Sequence, residues 1–157
     1  MVFTYFILLN LIVVILFIKT KKNLHILEIV VYWLAASYLF QNLSAFCYMN
    51  LKTLIIPEKL GFELSHFLNR TVLYPVIMVT FLHYFLLLKG ILRKLLLFLF
   101  FISFLAEMEY IEHFSGVLIH VHWKLWWSFA FWLGALLILI GIMKVFRRIL
   151  YKGEPPV

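Results

Sequence analysis

Apolar residues in this chain come in long runs, broken by short clusters of charge. Such runs predict helices that are apolar on every side, the pattern of a membrane span rather than of a helix facing water. A spanning helix needs about 20 mostly apolar residues, because each rises about 1.5 Å across about 30 Å of hydrocarbon. Five stretches meet or approach that length: 2–18, 26–50, 71–88, 91–112 and 124–146. The fourth is the shortest in hydrocarbon terms, since its unbroken run from Leu95 to Ala106 has twelve residues. It must recruit Ile91 and Leu92 or carry Glu107 and Glu109 into the membrane. The predicted fold is an all-α, polytopic transmembrane bundle of five spans.

Between spans two and three, Leu60, Leu64, Phe67 and Leu68 recur at helical spacing after Pro57, a residue suited to a first helical turn. Lys59, Glu63 and Ser65 fall mostly elsewhere, which predicts a short helix over 57–68 lying in the outer interface. Pro75 is expected to kink span three near its outer end. Two prolines in the tail exclude a continued helix. The chain therefore divides into one transmembrane domain, 1–148, and a short cytoplasmic tail, 149–157, predicted to be disordered.

Composition removes the water-soluble alternative. The 157 residues are 66% hydrophobic and 13% charged, with a mean hydropathy of +1.05, and no soluble fold of this size hides so much hydrocarbon. The net charge of +7 does not indicate nucleic acid, because the cations sit in short clusters between apolar runs. Ten of them (Lys19, Lys21, Lys22, Lys89, Arg93, Lys94, Lys144, Arg147, Arg148, Lys152) fall on one side of the five-span topology. Four (Lys52, Lys59, Arg70, Lys124) fall on the other. Positive charge marks the cytoplasmic side, so the N-terminus is expected outside and the C-terminus inside. The first apolar run has no basic residues before it and a basic cluster after it, the reverse of a cleavable signal, so it is expected to be a retained span. Cys47 is the lone cysteine and excludes an intramolecular disulfide.

Ionisable residues concentrate in one place. Of seven acidic residues and six histidines, Glu107, Glu109, Glu112, His113, His120 and His122 lie within sixteen positions. At about 100° per residue, Glu109, Glu112 and His113 share one helix face, with Gly116 and, if the helix continues, His120; Glu107 points nearly opposite. This polar cluster has a bland explanation, the water-exposed exit of a short span. If the glutamates lie inside, each needs a partner, and Arg70 at the outer start of span three is the candidate. Carboxylate-bridged metal bundles take matching ligands from several helices, and no second Glu-x-x-His stands here, so no metal or cofactor is expected. His122, Trp123, Trp126 and Trp127 form a candidate interfacial belt at the outer end of span five. Gln41, Asn42 and Ser44 are expected to hydrogen-bond across helices, Glu28 to reach toward Lys21 and Lys22, and Ala130 with Gly134 to permit close helix contact. Motifs for hydrolases, zinc proteases and phosphate loops are missing, as is aspartate.

The succession of Tyr74-Pro75 in one span, Glu109 and Glu112 in the next, and His122-Trp123 opening the last resembles an uncharacterised family of small multi-pass membrane proteins common in endospore-forming bacteria. The resemblance covers about 60–148. It implies a similar helical bundle in a bacterial cell membrane and no established activity. With no catalytic residues to name, the expected role is a non-enzymatic membrane interaction or accessory protein. Its partners are the lipid bilayer and another membrane protein, or itself as a homo-oligomer. Two alternatives are an oligomeric transporter or channel subunit, and a membrane-embedded enzyme using the Glu109, Glu112 and His113 face.

Overall fold

The computed structural model describes residues 1–21, 23–50 and 52–152. Among these, five helical rods pack as a bundle. They are α1 (Val2–Lys19); α2 (Ile26–Ala45) with a π-helical turn, Phe46–Asn50; α3 (Leu60–Leu68) running through a second π turn, Asn69–Leu73, into α4 (Tyr74–Leu87); α5 (Ile91–Phe114); and α6 (Leu125–Leu150). Two-residue strands β1 (Leu54–Ile55) and β2 (Ile119–His120) pair antiparallel, Leu54 opposite His120, and tie the α2–α3 loop to the α5–α6 loop. The all-α bundle matches the fold class expected from the apolar runs.

Four rods are long and apolar enough to cross a membrane: Val2–Lys19, Ile26–Met49, Leu60–Leu87 and Leu125–Leu150. α5 has 24 residues, enough length at about 1.5 Å each, but carries Arg93, Lys94, Glu107, Glu109 and Glu112.

The third rod differs from expectation. The helix at 57–68 is not a separate surface element; it begins at Leu60 and continues into α4 as one helix of 28 residues. A π turn makes this continuity possible. In α-geometry, Pro75 would lack an N–H for the Thr71 carbonyl and press its ring against it. Here Tyr74 N–H bonds back to Asn69 O, and the wider turn accommodates the proline without ending the helix. α6 likewise runs two residues past the expected domain boundary, to Leu150. The remainder of the tail, 153–157, lies outside the described residues.

The packing is inverted relative to a soluble bundle. α1 buries only Phe6 and Asn10, while Leu8, Leu11, Ile15, Leu16 and Ile18 are exposed. α3 buries Ser65 and His66 and exposes Leu60, Leu64 and Phe67. Leaving one such aliphatic side chain in water forfeits about 1.5–3 kcal/mol. Repeated along every rod, this makes an aqueous environment untenable, and the bundle is that of a membrane-embedded protein. Its interior is apolar as well, built on Tyr32, Ala36, Phe40, Met78, Phe81, Leu105, Leu136 and Leu139.

Near the β1–β2 end, three rings form a compact layer. Phe40 stacks on Trp132 at 5.3 Å and 8°, and Tyr74 lies 4.6 Å from Phe40 and 5.0 Å from Trp132, centroid to centroid. Aromatic rings with polar tips can pack in a core while pointing a donor at a buried acceptor. Tyr74 and Trp132 both do so.

Candidate functional site: two buried carboxylates

The donors at this aromatic layer point to two glutamates one turn apart on α5. Glu112 is fully buried and is held from the third rod. Tyr74 Oη donates to its Oε1 at 2.7 Å, and Asn69 Nδ2 to the same oxygen at 2.9 Å. His66 Nδ1 stands 3.0 Å from Oε2. Asn69 in turn accepts from Asn10 Nδ2 at 2.7 Å, which links α1 to the cluster. The π turn lies between Asn69 and Tyr74 and lets residues from both sides of it converge on one carboxylate.

Glu109, 5% exposed, faces α6. Trp132 Nε1 donates to Oε2 at 2.8 Å, and Ser128 Oγ donates to Oε1 at 2.9 Å. Ser128 Oγ accepts from Trp123 Nε1 at 2.7 Å. His120 Nε2 approaches Oε1 at 3.2 Å but off the hydrogen-bonding direction. His120 reaches this position because α5 stops. Gly116, at φ +72°, takes the left-handed conformation that a glycine adopts without a Cβ penalty, and the N–H groups of Val117 and Leu118 both return to Glu112 O. The chain then doubles back through β2, where His120 stacks on His113 at 4.5 Å and 8° and donates its backbone N–H to His113 Nδ1 at 3.2 Å.

The candidate residues thus fall into three groups. Glu109 and Glu112 lie buried in the bundle, while His113, half-buried, turns to Leu118 and His120 of the α5–α6 loop. Arg70 does not join them. Among the described residues it forms no ion pair, its Nε has no hydrogen-bond partner, and its guanidinium lies 5.9 Å from the Phe67 ring. Arg70 is offset about 100° from Asn69 on the same helix, so Asn69 meets the carboxylate in its place. Within the belt, Trp126 and His122 are exposed, while Trp123 and Trp127 are half-buried and packed edge to face at 5.5 Å. Trp123 is therefore both a rim residue and a member of the Glu109 cluster.

Sequence reasoning missed His66, Asn69, Asn10, Ser128 and Trp132. A signal for the first two was present: Ser65, His66 and Asn69 form a polar face opposite Leu60, Leu64 and Phe67. The same amphipathicity fits a surface helix or a helix with its polar side inward.

A third buried carboxylate sits at the opposite end. Glu28 Oε1 is 3.1 Å from Arg147 Nε, and Glu28 also accepts from Tyr32 Oη at 3.1 Å, Tyr151 Oη at 3.3 Å and the His25 N–H at 2.9 Å. The partner is Arg147 on α6 instead of the expected Lys21, and Lys22 lies outside the described residues. Glu28 also caps its own helix, as the third residue of a capping box with His25. Two smaller expectations change too. Asn42 bonds back to Tyr38 O within its helix at 2.8 Å. Ala130 is exposed, and a Cβ built on Gly134 meets nothing within 4 Å.

Chemically, the two α5 carboxylates accept from side chains of four other elements. Next to Glu109 there is a cavity of about 10 Å³, lined by Phe40, Ser44, Leu54, Leu118 and others; that is room for about one water. No group of three or more His, Cys, Asp or Glu side chains among the described residues is arranged to hold a metal ion. The chain matches no family model, no curated protein and no solved structure.

Proposed function

We propose that this chain is a multi-pass integral membrane protein with five crossings, N-terminus outside and C-terminus cytoplasmic, acting as a non-enzymatic interaction or accessory protein of a bacterial cell membrane. One observation carries the reading: large apolar side chains cover the outside of the bundle, while the polar side chains that are buried close on one another. Glu112 takes three donors and Glu109 two, all from the chain itself. Buried polar groups satisfied in this way lock helices together and specify their packing. Membership of the endospore-former family is part of the same proposal, resting on Tyr74, Pro75, Glu109, Glu112, His122 and Trp123.

A transporter or channel subunit is the second reading, favoured by two ionisable residues at bundle depth, where such residues mark ion pathways in many membrane proteins. Reporter fusions and liposome flux together test the proposal. Fusions after Lys94 and Lys152 should report cytoplasmic, and those near Glu63 and Gly116 external. Reconstituted protein should conduct no cations. A cytoplasmic signal at Gly116 would remove the α5 crossing, and sustained flux that Glu109→Gln abolishes would favour the transport reading.

A further inference from the structure

Glu107 points away from the Glu109 and Glu112 face, into a cleft between α5 and α6. The cleft measures about 500 Å³ and is lined by Ser103, Ala106, Glu107, Tyr110 and Phe114 of α5 with Phe129 of α6. Leu125, the first residue of α6, also lines it. Among the described residues Glu107 has no ion pair or hydrogen bond. We propose that this cleft binds an amine-bearing phospholipid of the phosphatidylethanolamine class, its ammonium against the Glu107 carboxylate and an acyl chain along Ser103 and Ala106.

Four observations converge on that ligand. An unpartnered carboxylate directed out of the bundle at membrane depth is costly until a cation or donor meets it. Tyr110, Phe114 and Phe129 line the same cleft, and aromatic faces attract ammonium groups. Leu125 and Phe129 of the cleft flank Trp126 and Trp127 on α6, aromatic residues of the kind that sit where lipid headgroups begin. The cleft volume of about 500 Å³ falls within the range of about 300–1,000 Å³ usual for small-ligand sites, and Ser103 and Ala106 give its lining two short side chains. An anionic headgroup would meet repulsion at the same carboxylate.

The inference rests on the membrane reading but not on its orientation. The test is native mass spectrometry of the detergent-purified full chain, titrated with dioleoyl phosphatidylethanolamine or dioleoyl phosphatidylglycerol. Wild type should retain the ethanolamine lipid about tenfold better, the scale of one desolvated cation–carboxylate and cation–π contact. Glu107→Gln should lose the preference, Glu107→Asp should keep most of it, and Phe129→Ala should weaken it. Melting of Glu107→Gln should match wild type, since no internal partner is lost. Equal retention of both lipids by wild type, or an intact preference in Glu107→Gln, overturns the proposal. A photo-cross-linker at Phe114 should label lipid; labelling of a polypeptide instead assigns the cleft to a partner helix and also overturns it. Alkaline carbonate extraction of membranes tests the underlying reading separately: a chain that stays in the membrane yet shows no lipid preference sinks only this inference.

Discussion

The two ends of the bundle bury carboxylates by different means. At one end Glu28 meets a guanidinium, with Arg147 about a third exposed at 35%. At the other, Glu109 and Glu112 sit among hydroxyls, amides, indoles and imidazoles, with no Lys or Arg within ion-pair distance among the described residues. Direct pairing with a cation suits a site near a rim, where the cation keeps part of its hydration. Around Glu109 and Glu112 a second full charge would add its own desolvation cost, whereas neutral donors on Tyr74, Asn69, Ser128 and Trp132 are less expensive to bury and can be aimed. The Glu112 site therefore depends on geometry, and the Glu28 site on charge.

That contrast can be broken from either side. The largest effect is expected from Glu112→Ala, which strands the donors of His66, Asn69 and Tyr74 in an apolar interior. A loss of about 3–5 kcal/mol in detergent unfolding is expected, and less than about 1 kcal/mol would mean that water already reaches the site. Next comes Arg147→Met. The Tyr32 and Tyr151 hydroxyls still donate to Glu28, and water can enter where Arg147 was part-exposed, so about 1–2 kcal/mol is expected. Adding Glu28→Gln to that variant should recover part of the loss; further destabilisation would show that the carboxylate acts mainly as a helix cap. A double-mutant cycle on His66→Ala and Glu112→Ala should show coupling above about 0.5 kcal/mol. The smallest effect is the most pointed: Arg70→Ala and Glu109→Ala should be additive within about 0.5 kcal/mol. Strong coupling there would restore Arg70 as the counter-ion.

Much of the bundle was legible because apolar runs of span length have few alternatives. The helical periodicity of α5 was equally readable, so Glu109, Glu112 and His113 could be assigned to one face. Which groups that face would meet was not readable. Choosing Arg70 assumed that a buried carboxylate seeks a cation and that span three begins at residue 71. In the structure the helix begins at Leu60, which brings in His66 and Asn69, and their neutral or imidazole donors suffice. Pro75 suggested a kink near the outer end of span three, and local propensity gives no sign of a π turn that absorbs the proline. The end of α5 at Gly116 was likewise open, since a continued helix would also have placed His120 on the glutamate face, though with no stacking partner.

The π turn at Asn69–Leu73 has a consequence for how this rod tolerates change in length. Such a turn holds one residue more than an α-helical turn would need, so the segments above and below it are phased independently. Deleting a single residue within 69–73 would restore regular winding and swing the upper segment by about 100° relative to the lower. His66 would rotate off the carboxylate while Tyr74 stayed in place, and the lipid-facing Leu60, Leu64 and Phe67 would turn with it toward α1 or α5. The rod thus behaves as two keys cut on one shaft, with the extra residue setting the angle between them.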